Sequence, residues 1–448
     1  MRFVIFAAAV AAALACVAAA AAAPPPPSGK AGGRPENAHP PGDRPVHGRT
    51  NAGVECPASL QCDFVPAAYV QNSASPYDYG NYDLADRPQD GLTIRYVVVH
   101  DTESSYDSTL QEFQNPLAYV SAHYVTRSAD GHVTQLVPTK DVAWHAGNWY
   151  VNTHSIGIEN EGYALDGSWF TSALYGSLAK LIRYQADRYG FPLDREHVIG
   201  HDQVPGIDAN HVAGMHWDPG PYFDWAHLMA LAGAPITPTG GDRTGRVVTI
   251  DPEFASNFNT VTGCSGGVCA PSSPQPTNFV YLHTQPSADS PLVSDPLLTA
   301  AGVEPNGVGT TKGWDWGDKA VTGDTFAVAG RQDGWTAIWY GGQVAWFQDN
   351  DATIPGRGVV ITPKAGLSSI PVYGTAYPSS ISTATEGYTI PAGQQYVASD
   401  LVDADHYTAT TYNAPSTYHV DRSGEQFYAI QFNHRLAYVR ATDVDVLG

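Results

Sequence analysis

Sixteen histidines are spread through this chain, and few stand where a histidine can do chemistry. His100 closes the apolar run Thr93 to His100 (TIRYVVVH), just before the polar Asp101-Thr102-Glu103. His201 stands at a similar edge, after Ile199-Gly200. Loops at strand ends are where open α/β sheets build their sites. His197 lies four residues before His201, but Val198, Ile199 and Gly200 disfavour a helix between them. On a strand, four residues span ~13 Å, so the two cannot share one ion. His201, at the loop edge, is the expected ligand and His197 the structural residue. A catalytic zinc takes three protein ligands and keeps one position open for water. The third ligand should come from the loop after His201, where Asp202, Asp208, His211, His216 and Asp218 all qualify. Asp218 sits in the rigid turn His216-Trp217-Asp218-Pro219-Gly220-Pro221, which presents a carboxylate with little ordering entropy left to lose.

The elements that must position these residues lie in 55–233, where strand and helix signals alternate. Ala122 to Arg127 and Val133 to Val137 flank Asp130-Gly131, a hairpin signature. Ser155 to Asn160 (SIGIEN) reads as another strand. Leu174, Leu178, Leu181 and Ile182 follow helical spacing, and Gly190 ends that helix. The expected fold is an α/β domain whose mixed central sheet is flanked by helices. Residues 234–275 lose the pattern and read as a linker holding a disulfide loop. Beyond it the chain is all-β and repeats itself. Trp335 to Phe347 parallels Phe427 to Val439, each a strand, a two-residue turn and a second strand. Gly341-Gly342 and Asn433-His434 suit the positive φ angles of tight hairpins. Two small barrels are expected, at 276–352 and 358–448.

Residues 1–23 carry Arg2, an apolar run and the small Ala21-Ala22-Ala23, as a cleaved secretion signal does. Pro24 to Val54 is then a Pro/Gly-rich linker. The expected product is secreted and not membrane-bound after cleavage. Cys56, Cys62, Cys264 and Cys269 can pair in three ways. The local pairs Cys56–Cys62 and Cys264–Cys269 are expected, because each closes a short loop. With 44 acidic against 23 basic residues the net charge is −21, which excludes a phosphate-tracking nucleic-acid binder. Hydrophobic residues make up 43% of the chain, enough to bury real cores.

Six segments together resemble the zinc N-acetylmuramoyl-L-alanine amidases, whose fold is shared by peptidoglycan recognition proteins. They are VVVHDTE (97–103), SAHYVTRSADG (121–131), AWHAG (143–147), SIGIENEG (155–162), IGHDQVPG (199–206) and WDPGPYFDW (217–225). The resemblance implies one zinc per chain, held by His100, His201 and Asp218. It puts Glu159 beside the attacking water, and it has Trp144 and His145 line the substrate cleft. Where many members carry an oxyanion-stabilising lysine, this chain has His216, which would do that work as a cation. His123 matches a position that is either structural or working. The implied substrate is bacterial peptidoglycan, cut between N-acetylmuramic acid and L-alanine of the stem peptide. Two other functions fit the same pattern: a non-catalytic peptidoglycan-binding protein, and a zinc amidase acting on a non-wall acyl amide. The run GWTAIWYGGQVAWF resembles the SH3-like modules appended to bacterial wall hydrolases and favours the wall.

Overall fold

The computed structural model of the protein describes residues 53–242, 244–265 and 267–447. The expected signal at 1–23 and most of the stretch 24–54 lie outside the described residues. Six strands form the first sheet: β1 (Cys62–Phe64), β2 (Tyr96–Asp101), β3 (Tyr124–Thr126), β4 (Val133–Gln135), β5 (Ser155–Asn160) and β6 (Val198–Gly200). Their order is β1-β4-β3-β5-β2-β6. Neighbours run parallel except β3 and β4, which form the hairpin around Asp130-Gly131. Gly131 takes φ 71° there.

Side chains alternate across a strand, so β2 serves two cores. Val97 and Val99 join the core under the long helix α3 (Ser172–Tyr189). Two short helices precede it, α1 (Tyr106–Phe113) and α2 (Trp149–His154). Thr171 caps α3 by accepting from the Leu174 amide, and Gly190 at φ 78° ends it. Leu174, Leu178, Leu181 and Ile182 form its buried face, as the spacing predicts. Tyr96 and Val98 point the other way, into a core with Val151, Ile199, Val204 and Leu436. Leu436 belongs to the far end of the chain.

That far end is mostly β-strand. The first unit is an antiparallel sheet of β7 (Val247–Ile250), β8 (Thr325–Gln332), β9 (Trp335–Tyr340), β10 (Gln343–Gln348) and β11 (Thr353–Pro355), ordered β10-β9-β8-β7-β11. Strand β7 lies inside the segment expected to be linker. Its four residues are too few to show alternation, and pairing with β8 and β11 fixes them instead. The second sheet holds β12 (Val359–Pro363), β13 (Ser369–Tyr373), β14 (Ala384–Pro391), β15 (Tyr396–Thr408), β16 (His419–Gln431), β17 (Leu436–Arg440) and β18 (Val444–Leu447). Their order is β14-β13-β17-β16-β15-β12-β18. Cys56–Cys62 and Cys264–Cys269 are both joined.

The repeated hairpins differ at their tips. Gly341 and Gly342 take φ 58° and 80°, as expected. Asn433 and His434 do not take positive φ, which corrects the sequence expectation. Their side chains are instead bound to buried carboxylates elsewhere in the molecule. This tip is one point of a broad contact between the second β unit and the α/β domain. Tyr96 and Tyr438 hydroxyls lie 3.4 Å apart. His154 Nε2 meets Asp405 Oδ1 at 2.9 Å. His197 bridges Asp194 at 2.6 Å and Asp400 at 3.1 Å, and these carboxylates outweigh burial and raise its pKa to about 9.

Candidate metal centre

The centre is set by strand register. His100 on β2 pairs side by side with Glu159 on β5. Gly200 on β6 pairs with Val99, so His201, the next residue, comes level with His100. Parallel strands lie ≈ 4.8 Å apart, so three adjacent strand ends present Glu159, His100 and His201 in one row. Asp218 is brought over them by its loop. Its carbonyl accepts from the Asp202 amide at 2.9 Å, and its Oδ2 accepts from the Asp101 amide at 3.3 Å. One atom each from His100, His201 and Asp218 then lie within 4.8 Å of one another, and all three residues are buried. Among the described residues this is the one group of three or more that could hold a metal ion.

The other loop candidates are engaged elsewhere. Asp208 caps the helix α4 (Ala209–Gly214) and pairs with His211 at 2.8 Å. Asp202 turns away to His434. His197 is a structural ion-pair residue, as expected.

The donor set suits a divalent metal. His100 Nδ1 faces Asp218 Oδ2 at 3.2 Å, and His201 Nδ1 faces Asp218 Oδ1 at 3.1 Å. Yet neither ring nitrogen of His201 makes a well-directed hydrogen bond, although both are buried. Buried polar atoms left this way want a partner, and an ion at the cluster would supply one. Burial lowers the pKa of His201, leaving the neutral imidazole that a metal requires. Burial alone would raise Asp218, but His201 and His100 outweigh it and hold this carboxyl well below the usual range.

His145 lies behind the cluster rather than in the cleft the resemblance assigned to it. It is 6% exposed, and its Nδ1 lies 3.0 Å from His100 Nε2. Burial, then His100, keeps its pKa well below the ordinary value, so the ring is neutral. With Nδ1 accepting from His100, its Nε2–H reaches Ser155 Oγ at 3.2 Å. That fixes His100 with Nδ1 free toward the cluster, the orienting role such partners play behind metal ligands. Gly157 makes the room: a Cβ there would stand 2.5 Å from the His145 ring. His123 is a satisfied core histidine, with Nδ1 accepting from the Gly157 amide at 3.0 Å and Nε2 donating to the Asp141 carbonyl at 3.1 Å. Trp144 is half-buried and donates from Nε1 to Asp83 Oδ2 at 2.8 Å.

Glu159 Oε1 lies 3.9 Å from His100 Nδ1, while Oε2 is buried without a partner. Burial, with Asp218 and Glu112 nearby, pushes its carboxyl well above the usual range. His216 stands at the rim, its ring 4.9 Å from that of His201. Its side chain is 64% exposed, and burial of the inner part of the ring, then the neighbouring His201, lowers its pKa. That direction favours the uncharged ring over the cation expected from the sequence.

Fold and cluster together define an α/β domain with a His–His–Asp centre at its strand ends, of the kind that holds a divalent metal. Residues 90–221 match the family model described as N-acetylmuramoyl-L-alanine amidase. The chain is 33% identical over 173 residues to N-acetylmuramoyl-L-alanine amidase A of Achromobacter lyticus, a match covering 35% of this chain and 90% of that protein. It is 37% identical over 126 residues to the 1,6-anhydro-N-acetylmuramyl-L-alanine amidase AmpD of Citrobacter freundii, covering 27% of this chain and 59% of that one. Against a crystal structure of selenomethionine AmpD the identity is 29% and the TM-score 0.29, with 40% of this chain and 96% of that one covered. The chain belongs to the N-acetylmuramoyl-L-alanine amidase family. Among the described residues, no helix is long and apolar enough to cross a membrane.

Proposed function

We propose that this protein is a secreted zinc amidase that hydrolyses peptidoglycan between the lactyl group of N-acetylmuramic acid and L-alanine of the stem peptide. The observation that carries the reading is the convergence of His100, His201 and Asp218 within 4.8 Å, with Glu159 alongside. Zinc held by these three residues supplies the Lewis acidity that activates water and polarises the scissile carbonyl. Glu159 takes the proton from the attacking water and delivers it to the leaving nitrogen of L-alanine, which departs as an amine. A carboxyl raised by burial is suited to both halves of that transfer. His216 donates a hydrogen bond to the carbonyl oxygen as negative charge builds on it. His145 keeps His100 in the one orientation that serves the centre. Trp144, next to His145 in the chain and half-buried, is assigned to substrate binding on the family likeness.

The C-terminal β units, read as SH3-like, are proposed to bind the wall. An open groove of about 420 Å³ in the first unit, lined by Tyr281, His283 and Trp335 among others, offers aromatic faces of the sort that pack against sugar rings. Mass spectrometry of digested purified peptidoglycan tests the main reading. Free L-alanine amino termini and intact glycan strands are expected. New sugar reducing ends, or cleavage between amino acids of the stem, would contradict it.

A further inference from the structure

Hairpin tips are ordinarily wet, because their backbone groups need water. The tip between β16 and β17 is not: Asn433, His434 and Arg435 are 2%, 2% and 3% exposed. All three polar side chains are spent on other parts of the molecule. His434 Nε2 lies 3.0 Å from Asp202 Oδ2, on the residue directly after His201. The Arg435 guanidinium donates from Nη1 to the Val204 carbonyl at 2.8 Å and from Nη2 to the His216 carbonyl at 3.3 Å. Those two carbonyls are the stems of the loop that runs from His201 to Asp218. A planar guanidinium with two fixed donors can bridge two carbonyls and hold their separation, which a flexible ammonium cannot. The bridge is itself fixed: Arg435 Cζ lies 4.0 Å over the Trp316 ring, and Asn433 donates to Asp295 Oδ2 at 2.9 Å. Leu436 seals the contact by packing with Tyr96, Val98, Ile199 and Val204, beneath the strands that end in His100 and His201.

We infer that Arg435, with His434 beside it, is a positioning residue of the metal centre, so that the second β unit completes the site instead of only carrying it to the wall. The inference rests on the metal-amidase reading of His100, His201 and Asp218. Arg435 touches no ligand atom. It sets the span of the loop and thereby the approach of Asp218 to the two histidines.

The first test needs no substitution. Hydrogen exchange is followed on the full chain with and without Zn²⁺. If the tip holds the loop that holds the ion, the ion must in turn steady the tip. Amides of 201–218 and of 432–436 should both gain protection, while those of β9 and β10 stay unchanged. Protection confined to 201–218 overturns the inference. A second test measures Zn²⁺ affinity by chelator competition. Arg435→Met, which keeps the stem and loses the fork, should bind Zn²⁺ about 10-fold more weakly or worse, the range seen for lost outer partners of metal ligands. Arg435→Lys should recover part of this. Asp400→Asn, which loosens the contact at His197 away from the loop, should bind as the parent does. Parent affinity in folded Arg435→Met overturns the inference. If instead His201→Ala binds Zn²⁺ as tightly as the parent, the metal reading is what fails. Metal-free exchange at 201–218, expected to be faster in Arg435→Met, then still decides the role of the clamp.

Discussion

Each side chain around the centre has a separate physical duty, so substitutions should separate them. His100→Ala, His201→Ala and Asp218→Ala should each lose bound metal together with activity, measured by zinc content and muropeptide release. Glu159→Gln should keep the metal and lower kcat by about 10²–10⁴-fold, the usual share of a proton-transfer group. His145 discriminates between the cleft role implied by family likeness and the orienting role implied by its 3.0 Å contact to His100. His145→Leu should weaken zinc binding about 10–100-fold. A raised KM at unchanged zinc affinity would return it to the cleft. The His100–His201–Asp218 cluster was legible in the sequence because two members close recognisable segments, VVVH and IGH, and the third lies within WDPG. The lowered pKa of His216 was not, since it comes from partial burial of the ring and from His201, which the fold brings beside it.

At the level of elements, register does the positioning and one glycine permits it. Gly157 faces the His145 ring so closely that any Cβ overlaps it. Gly157→Val should cost about 1–3 kcal/mol, as overpacking in a tight core does, and thermal unfolding would register it. Zinc affinity should fall with it, because the displaced ring is the one that orients His100. Five of the six strands of the α/β sheet and helix α3 could be read from sequence pattern and caps; the three-residue edge strand β1 could not. Strand β7 could not, because four residues carry no period and its partners lie in β8 and β11. The tip at Asn433-His434 was misread for a related reason. Asparagine is a common turn residue, and nothing local reveals that Asp295 and Asp202 wait for these two side chains.

For the molecule as a whole, the chief departure is that the β units are not beads on a string. Contacts such as Tyr96 to Tyr438 join residues 342 apart, a separation at which sequence carries no periodic trace. A protein ending at Ala234 should therefore expose the apolar face around Tyr96, Val98 and Tyr150. It should aggregate or melt well below the full chain, as size-exclusion chromatography and thermal unfolding would report. An independent domain would instead stay monomeric and active. The contact should also respond to pH. His197 is charged in the folded state up to about pH 9, against ~6.5 when unfolded. Its contribution is therefore fully present below about pH 6.5 and is lost as the pH rises through 9. The melting temperature should fall across that interval, and His197→Gln should flatten the fall. An equal slope in both proteins would assign the pH response to other groups.

The reach from Arg435 back to His216 spans 219 residues of chain. Chains are made from the amino end, and early domains begin to fold before late ones exist. The last strand of the α/β sheet is thus synthesised long before the tip inferred to brace the loop from His201 to Asp218. For a peptidoglycan amidase the inferred clamp would act as a timing device. If Arg435 braces that loop as inferred, a chain not yet made to residue 435 would carry His100, His201 and Asp218 without the two hydrogen bonds that hold the loop between the last two. On that inference, activity would arrive only once β16 and β17 have been made and docked.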